Sequence, residues 1–418
     1  VNGIGNTLAG VSWPSLPQGT NPVTDFIPVA RIADMLLDPG GAYDFNGERR
    51  TYPDIRLVYW AGGNPFHHHQ DLNRLRRAWR RPETVIVHES WWNPLARHAD
   101  IVFPVTTALE RNDIAASSRD RFIAASHRIA EPAGEARDDF AVFLGLAERL
   151  GADKAFGGGL DEEGWLRHLY GIARQSAASA GHDLPEFERF WAEGFVLLPQ
   201  PKELEPLLAD FRTDRDANRL KTPSGRIEIF SETIDGFGYD DCPGHPAWIA
   251  PDEWLGADLA QRYGLHLISN QPESRLHSQY DSASHARASK IAGREPIRIH
   301  PDDARRRGIR EHDIVRVYND RGSCLAAAVL SEAVRPGVVQ LSTGAWYDPE
   351  HPDRDDSLDK HGNPNVLTRD RGTSRLGQGP SAQSCLVEIE KHEGPVPPVT
   401  AFDPPAFAPH PNRSRNRN

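Results

Sequence analysis

Residues 56–65 read Arg-Leu-Val-Tyr-Trp-Ala-Gly-Gly-Asn-Pro, a short apolar run that stops at two consecutive glycines. A second apolar run at 84–88 is rich in β-branched residues, and a third covers 100–104. Between the first two runs, apolar residues recur three and four positions apart, which indicates a helix over about 69–80. Strands separated by a helix favour parallel pairing with right-handed crossovers, so this region predicts a parallel α/β sheet.

The apolar period changes to two from residue 263 onward. Short runs with this period, separated by Gly and Pro turns, are typical of a β-barrel. The candidate strands are 265–268, 297–299, 314–318, 325–330, 338–341 and 385–389. The predicted fold is therefore α/β, with a Rossmann-like parallel-sheet domain followed by a six-stranded β-barrel domain.

These patterns divide the chain into predicted domains. A helix over 139–150 closes the sheet region and stops at Gly151, as helices often do at glycine. The predicted segments are an α/β domain (1–151), a connecting and partly helical segment (152–258), a β-barrel domain (259–393) and a Pro-rich tail (394–418). The tail is expected to be mobile or to lie along the surface.

Bulk composition excludes several classes of protein. The chain has 418 residues and a net charge of −11, which argues against a general nucleic-acid role. No apolar run reaches membrane-spanning length. The cysteines Cys242, Cys324 and Cys385 lie far apart without a CxxC pair, which argues against a zinc site, an iron–sulfur cluster or a disulfide framework. The chain opens at Val1 without Met or a leader, so we expect the start of the gene product to lie upstream.

Polar loops follow the predicted parallel strands, where open sheets bind ligands. Gly63 lets a backbone approach a ligand closely, and Asn64 offers both a donor and an acceptor. Glu89 and Ser90 end the second strand, and a carboxylate there suits a ribose or a guanine edge. A third loop holds Glu-Arg-Asn-Asp at 110–113. Each could be an ordinary polar turn, but their shared edge favours a nucleotide-like ligand.

The loop at 269–279 carries the strongest local signal for a binding site. It reads Ser-Asn-Gln-Pro-Glu-Ser-Arg-Leu-His-Ser-Gln and so concentrates hydroxyls, amides, an arginine and a histidine. That composition suits a ligand with phosphates and a heterocycle. The alternatives are a solvated polar loop, a surface salt bridge for Arg275 and a structural role for His277.

Three consecutive histidines, His67, His68 and His69, invite a metal-site interpretation. Consecutive side chains diverge on a helix or strand, so a single site built from all three is disfavoured. Capping of the helix start or contact with a ligand is the favoured role. No nucleophile or P-loop motif occurs, so the residues alone predict a ligand-binding α/β domain followed by a β-barrel.

The string Tyr-Trp-Ala-Gly-Gly-Asn-Pro-Phe-His-His-His-Gln-Asp at 59–71 resembles the dimethyl sulfoxide reductase family of molybdenum enzymes. The similarity is to the branch of biotin sulfoxide, trimethylamine N-oxide and dimethyl sulfoxide reductases. It extends in the family's order over nearly the whole chain. The further matching segments are 16–19, 27–31, 96–104, 109–113, 134–140, 222–226, the polar loop at 269–279, 344–347, 362–368 and 383–385.

The resemblance implies a bis(molybdopterin guanine dinucleotide) molybdenum centre that transfers oxygen atoms, with no iron–sulfur cluster in this chain. The family's metal-ligand segment, commonly with a serine ligand in this branch, lies upstream of everything matched. The chain therefore corresponds to a C-terminal half, its α/β domain to the end of a larger domain. No residue here is assigned as a molybdenum ligand, and we expect the chain alone to be inactive.

Site residues carried over by position agree with the chemistry described above. One guanine dinucleotide would meet Gly63, Asn64, Glu89, Ser90 and Asp139. The second would meet Ser269, Asn270, Arg275, His277, Ser278, Asn365 and Gln383. Gln70, Trp346 and Tyr347 are further candidates, and the alternative role for Asp139 is to cap the helix that begins there.

The implied reaction is the reduction of a small sulfoxide or amine N-oxide, with electrons from a donor protein or reduced nicotinamide and with the missing N-terminal half. One alternative is a non-catalytic cofactor-binding module or split subunit. Another is a formate- or nitrate-type enzyme of the same superfamily, which the histidine-containing string disfavours. The compartment stays open, with the cytoplasm favoured over the periplasm.

Overall fold

The structure is a computed structural model that describes residues 14–117, 121–199 and 206–407. The helices are α1 (Ile32–Leu37), α2 (Pro65–His68), α3 (Leu72–Trp79), α4 (Asp139–Arg149), α5 (Asp153–Gly157), α6 (Glu162–Ser179), α7 (Phe187–Glu193), α8 (Ala209–Thr213), α9 (Glu232–Asp235), α10 (Ser284–Ala288) and α11 (Pro301–Arg306). The strands are β1 (Ala42–Phe45), β2 (Glu48–Thr51), β3 (Leu57–Ala61), β4 (Thr84–Glu89), β5 (Ile101–Pro104), β6 (Asp113–Ala116), β7 (Phe122–Ser126), β8 (Phe195–Leu197), β9 (Leu265–Ile268), β10 (Pro296–Ile299), β11 (Ile314–Tyr318), β12 (Ser323–Leu330), β13 (Val338–Leu341) and β14 (Leu386–Lys391).

The chain forms two compact units. One joins Phe26–Val102 to the residues from Phe230 onward, and the other comprises Phe103–Ile229 with the segment that ends at Asp25. In the first unit, distant parts of the chain therefore share one core. The linear domain boundaries given by the sequence patterns stay a prediction.

A closed β-barrel dominates the first unit. Its strands follow the order β10-β12-β11-β14-β9-β13. The pairs β10–β12 and β13–β9 are parallel, whereas the other neighbours run antiparallel. Alternate side chains, including Val315 and Val317 on β11, are fully buried because the period of two sends them to the barrel interior. The six-stranded barrel predicted from this period is confirmed.

The predicted parallel sheet is also confirmed. Strand β3 pairs in parallel with β4, with Leu57 opposite Thr84, and the sheet order is β3-β4-β5. Helix α3 buries Leu72, Leu75 and Trp79, the face that the sequence spacing indicated. The α/β fold with a parallel sheet and a barrel is therefore correct.

The helix start in this region differs from the prediction. Helix α3 begins at Leu72 rather than at residue 69, because the Asp71 side chain accepts a hydrogen bond from Arg74 N at 3.0 Å and caps it. His67 and His68 belong instead to the short helix α2, which is capped by Asn64, and His69 is its C-cap residue. A capping role for the histidines at the start of α3 is therefore wrong.

The second unit is built around α6 and α7. Strands β6, β7 and β8 form an antiparallel sheet. Its core is aromatic: Tyr170 stacks on Phe190 with ring centroids 4.4 Å apart, and Ile123 of β7 is fully buried among the same residues. Residues 152–258 contain helices α5 to α9.

Part of the Pro-rich tail is anchored, so of the two expected states, mobile or lying along the surface, the first does not describe residues 400–402. Thr400 donates from its backbone N and its hydroxyl to the Asp348 carboxylate, at 2.6 and 2.8 Å. Arg97 donates to the Thr400 carbonyl, and Phe402 packs edge-on against Trp346. Residues 408–418 lie outside the described residues. Within the described part of the chain, no helix combines the length and apolarity needed to cross a membrane.

Candidate functional site

The loop that follows β9 is organised by a buried group of charges. Arg275 Nε lies 3.2 Å from Asp281 Oδ1, and its Nη2 lies 3.1 Å from Glu295 Oε2. Lys290 Nζ contacts the same two oxygens, at 2.9 and 3.0 Å. Positive and negative groups therefore alternate around a closed circuit, which we call the ion ring (Arg275, Asp281, Lys290 and Glu295).

The ion ring is almost completely withdrawn from water. Its side chains are 1% (Arg275), 0% (Asp281), 1% (Lys290) and 3% (Glu295) exposed. Burial works to raise the pKa of Asp281, but the charge of Lys290 and its neighbours holds that pKa below its usual value. The alternative of a surface salt bridge for Arg275 is therefore wrong.

Nη1 of Arg275 and Nδ1 of His67 are buried here without a hydrogen bond or an ion-pair contact among the described residues. Burial, together with His68, His277 and the Arg275 charge, lowers the pKa of His67 to about 3, so its ring is neutral. Unpaired buried donors are costly, and a polar ligand is one way to satisfy them.

Predicted residues from the sheet and from the barrel come together here. Asn64 Nδ2 donates to Ser278 Oγ at 3.5 Å, and the His67 and His277 rings lie 5.2 Å apart. Trp346 Nε1 donates to the Ser278 carbonyl at 2.9 Å, and Trp346 N donates to Asp281 Oδ2 at 3.0 Å. The end of β3, the loop after β9 and the segment after β13 thus meet at one place.

Gln383 ties the start of this loop to the barrel. Its Nε2 donates to the Ser269 carbonyl at 3.0 Å, and its Oε1 accepts from Ser269 N at 3.4 Å. The Asn270 carbonyl accepts from Thr343 N at 2.9 Å. These bonds hold the first two residues of the loop against the residues that follow β13 and precede β14.

Gly344 permits the closest approach in the site. Its φ is +97°, and a Cβ there would lie 2.0 Å from the His277 carbonyl oxygen. Any larger residue would push the two loops apart. Gly63, with φ of +84°, marks the corresponding turn after β3.

A buried carboxylate organises the loop that carries Asn365. Asp359 accepts hydrogen bonds of 2.7 Å from the backbone N of Asp348, Gly362 and Asn363. Burial raises the pKa of Asp359 to about 7 despite these bonds. Asn365 then donates from Nδ2 to the His67 carbonyl, so this loop also reaches the site.

Three further predicted residues are engaged in structural contacts. Gln70 is buried and donates to the His68 carbonyl at 3.1 Å. Tyr347 is buried in the core, and its hydroxyl accepts from Arg76 Nη1 at 3.2 Å. Glu89 accepts from Asn93 Nδ2 at 2.6 Å.

Ser90 follows β4 directly. The next residue, Trp91, contacts Tyr280, which follows the loop at 269–279. The Trp91 and Tyr280 rings lie 6.4 Å apart. The loop after β4 therefore lies near the loop at 269–279.

Asp139 belongs to the other compact unit, as does the loop at 110–113, where Glu110 closes a capping box with Thr107.

The cap of α4 differs from the alternative considered for Asp139. The Asp138 side chain accepts from Ala141 N at 2.8 Å, and Asp139 is the first helical residue. Asp139 is therefore not the capping residue.

No group of three His, Cys, Asp or Glu side chains is arranged for a metal ion within 14–117, 121–199 and 206–407.

Sequence reasoning missed most of the ion ring. Asp281, Lys290 and Glu295 lie outside the polar loop and share no period with Arg275. The one available signal is Glu295, a charge placed directly before the apolar strand β10. His67 was expected to cap the helix start or to contact a ligand, without any link to the ion ring.

Comparisons with known proteins agree with this architecture. The family model described as Molybdopterin oxidoreductase matches residues 38–149, and the Molydopterin dinucleotide binding domain matches residues 265–386. Acetylene hydratase from Pelobacter acetylenicus has a similar fold, with a TM-score of 0.66 over 88% of this chain and 47% of that chain, at 18% identity.

Curated relatives are similar along almost the whole chain. Biotin sulfoxide reductase from Cereibacter sphaeroides is 50% identical over 94% of this chain and 52% of its own length. Dimethyl sulfoxide/trimethylamine N-oxide reductase from the same organism is 47% identical over 97% of this chain and 49% of its length. Trimethylamine-N-oxide reductase from Haemophilus influenzae is 44% identical over 90% of this chain and 46% of its own length.

The chain spans about half the length of these curated relatives. The two family models match in the order in which the parallel sheet and the barrel occur along the chain. On these matches, the chain belongs to the dimethyl sulfoxide reductase family of molybdopterin oxidoreductases.

Proposed function

We propose that this chain binds bis(molybdopterin guanine dinucleotide) and forms part of an enzyme that reduces S-oxides or amine N-oxides. The observation that carries the proposal is the buried Arg275 guanidinium, whose Nη1 lacks a partner among the described residues. It lies in a loop inside the matched dinucleotide-binding domain. Charge-assisted bonds from arginine to phosphate are strong, so a pyrophosphate is a suitable occupant.

The residues around Arg275 fit such a cofactor. Phosphate suits the guanidinium and the Ser278 hydroxyl, and the neutral His67 ring suits a polar heterocycle. Amides on Asn64, Asn365 and Gln383 offer both donors and acceptors for a pterin or guanine. Glu89 and Ser90 are proposed for the guanine and ribose of a second dinucleotide, and Asp139, in the other compact unit, is proposed separately for contact with a guanine nucleotide.

The roles of the protein side chains are binding and orientation. When bound, the molybdenum cofactor of this family supplies the two-electron transfer of an oxygen atom. The ion ring would fix the Arg275 guanidinium against a phosphate. The close approach of Gly344 to the His277 carbonyl would keep the segment after β13 in contact with the loop at 269–279. The buried tryptophan Trp346 would help to exclude water from that side.

We further propose that turnover requires the polypeptide that the relatives have beyond the matched half, and that electrons come from a donor protein or reduced nicotinamide. The names of the relatives support sulfoxides and amine N-oxides as substrates rather than formate or nitrate. A cofactor-binding subunit without activity of its own is the alternative.

The proposal is tested by co-producing the chain with the unmatched segment of the biotin sulfoxide reductase relative. We expect viologen-dependent reduction of biotin sulfoxide, dimethyl sulfoxide or trimethylamine N-oxide by the pair, and none by the chain alone. Bound cofactor without turnover by the pair would favour the binding subunit. Absence of bound cofactor would refute the proposal.

A further inference from the structure

The ion ring is unusual because one pair of carboxylate oxygens serves both cations. Asp281 Oδ1 and Glu295 Oε2 each contact Arg275 and Lys290, at distances between 2.9 and 3.2 Å. Arg275 would keep both carboxylate partners if Lys290 were removed. Lys290 is therefore not needed to connect Arg275 to its neighbours, and its presence requires another reason.

Charge counting supplies that reason. Arg275 and Lys290 balance Asp281 and Glu295, so the ring carries no net charge. His361 Nδ1 lies 3.8 Å from Asp281 Oδ2, but burial and the Lys290 charge lower the pKa of His361 to about 3, so it adds no charge. Without Lys290, Arg275 would sit in a buried group with a net charge of about −1.

We propose that Lys290 is a positioning residue that balances charge: it neutralises the ion ring, so that Nη1 of Arg275 can face an anionic group of the bound ligand. The proposal rests on the proposed function, because it requires a phosphate-bearing ligand at the 269–279 loop. It concerns a residue outside that loop that makes no direct contact with the ligand.

The physical basis is the weak screening of buried charge. An uncompensated negative charge a few ångströms behind Arg275 would repel a phosphate through a medium of low effective dielectric constant. A change of one unit in the net charge of the ring should therefore alter the affinity for an anion by about tenfold or more. A ring with a net negative charge should bind an anion more weakly than the neutral ring, and a ring with a net positive charge should bind it more tightly.

Guanosine diphosphate titrated into the purified 418-residue chain provides the test. Lys290→Met should weaken binding about tenfold, and adding Glu295→Gln to it should restore most of the loss, since the ring is again neutral. Glu295→Gln alone should bind guanosine diphosphate more tightly than the unsubstituted chain. Loss of structure cannot produce a gain in affinity, so this single variant keeps the test valid if Lys290→Met fails to fold.

A matched control is Lys360→Met. Lys360 is also buried beside a carboxylate, with Nζ 3.3 Å from Asp348 Oδ1, but it is not part of the ion ring. It should leave the affinity for guanosine diphosphate within about twofold. An equal loss in Lys360→Met would contradict the proposal.

Two negative outcomes separate the inference from the proposed function. If the unsubstituted chain binds no guanosine diphosphate, the proposed function fails and the inference fails with it. If it binds but Glu295→Gln weakens or does not change the affinity, the inference alone is overturned, and Lys290 has only a packing role.

Discussion

Two arginines in this molecule each pair with two carboxylates, and the difference between them is instructive. Arg167 on α6 contacts Glu163 at 2.8 Å and Glu188 at 2.5 Å, with side chains 42%, 68% and 71% exposed. Arg275 makes an equivalent pair of contacts, with side chains no more than 3% exposed. Similar chemistry thus occurs in water at Arg167 and in the interior at Arg275.

Exposed pairs of this kind contribute little, because water screens them and side-chain entropy opposes them. Buried pairs carry a large desolvation cost and are rarely the most stable solution for a core. A buried ion ring at the end of a barrel strand therefore indicates a requirement beyond stability. We attribute that requirement to an anionic ligand at Arg275.

The largest effect is expected from Arg275→Ala. The substitution leaves two buried carboxylates with Lys290 as their only cation in the ring, and should lower the free energy of unfolding by about 3–5 kcal/mol. Urea unfolding of the chain at pH 7 measures this loss. If the loss is as small as that of Arg167→Ala, the contrast between buried and exposed pairs does not hold.

A pH series should distinguish the buried site through its neutral histidines. Burial lowers the pKa of His361 to about 3, so the native state resists its protonation. The neutral His361 ring therefore contributes to the free energy of unfolding above pH 6.5, and this contribution is lost as the pH falls toward 3. Between pH 7 and pH 5, His361→Gln should therefore lose about 2 kcal/mol less stability than the unsubstituted chain.

Asp359 contributes with the opposite sign. Burial raises the pKa of Asp359 in the folded chain to about 7. Its contribution to the free energy of unfolding is therefore fully present below the pKa of the unfolded chain and is lost as the pH rises through 7. Asp359→Asn should therefore flatten the dependence of unfolding on pH between 4 and 7. Parallel pH profiles for this variant, for His361→Gln and for the unsubstituted chain would contradict the account of both groups.

A smaller effect is expected at the start of α4. Asp138→Ala removes the side-chain cap and should lower the free energy of unfolding by about 1 kcal/mol. Asp139→Asn should change stability less, and should lower the content of guanine nucleotide if the proposed binding role is correct. Unfolding curves and nucleotide content measured on the same samples separate the two residues.

The smallest effect is expected for Arg167→Ala. Its partners Glu163 and Glu188 are exposed and remain solvated without it. We expect no resolvable change in the urea midpoint and none in the affinity for guanosine diphosphate. A clear loss of either would mean that exposure is a poor guide to the importance of an ion pair here.

The strands and the barrel could be predicted because their signal is local. Leu265 and Leu267 or Val315 and Val317 alternate with polar residues, and burial of one face enforces that period. Helix α11 was missed because it is only six residues long and lies between two strands. Its start is marked by His300 and Pro301, which give a weak sequence signal.

The site could be predicted only in part. Ser269, Arg275 and Ser278 were found because the loop concentrates polar residues, whereas the ion ring depends on positions brought together by the barrel. The compact unit that joins Phe26–Val102 to the residues from Phe230 onward has no local signature either. Contacts such as Asn365 to the His67 carbonyl arise from chain topology, which no short pattern encodes.

The central claim is that the loop around Arg275 holds a molybdopterin dinucleotide. Its most direct test is the pterin and guanine nucleotide released per chain after purification from a host that makes the cofactor. Arg321→Gln is the matched control, since Arg321 forms a bidentate pair with Glu253 at 2.7 and 2.8 Å elsewhere in the same unit. The account predicts that the unsubstituted chain and Arg321→Gln retain cofactor while Arg275→Gln loses about nine-tenths of it or more. Equal cofactor content in Arg275→Gln and the unsubstituted chain would contradict the claim.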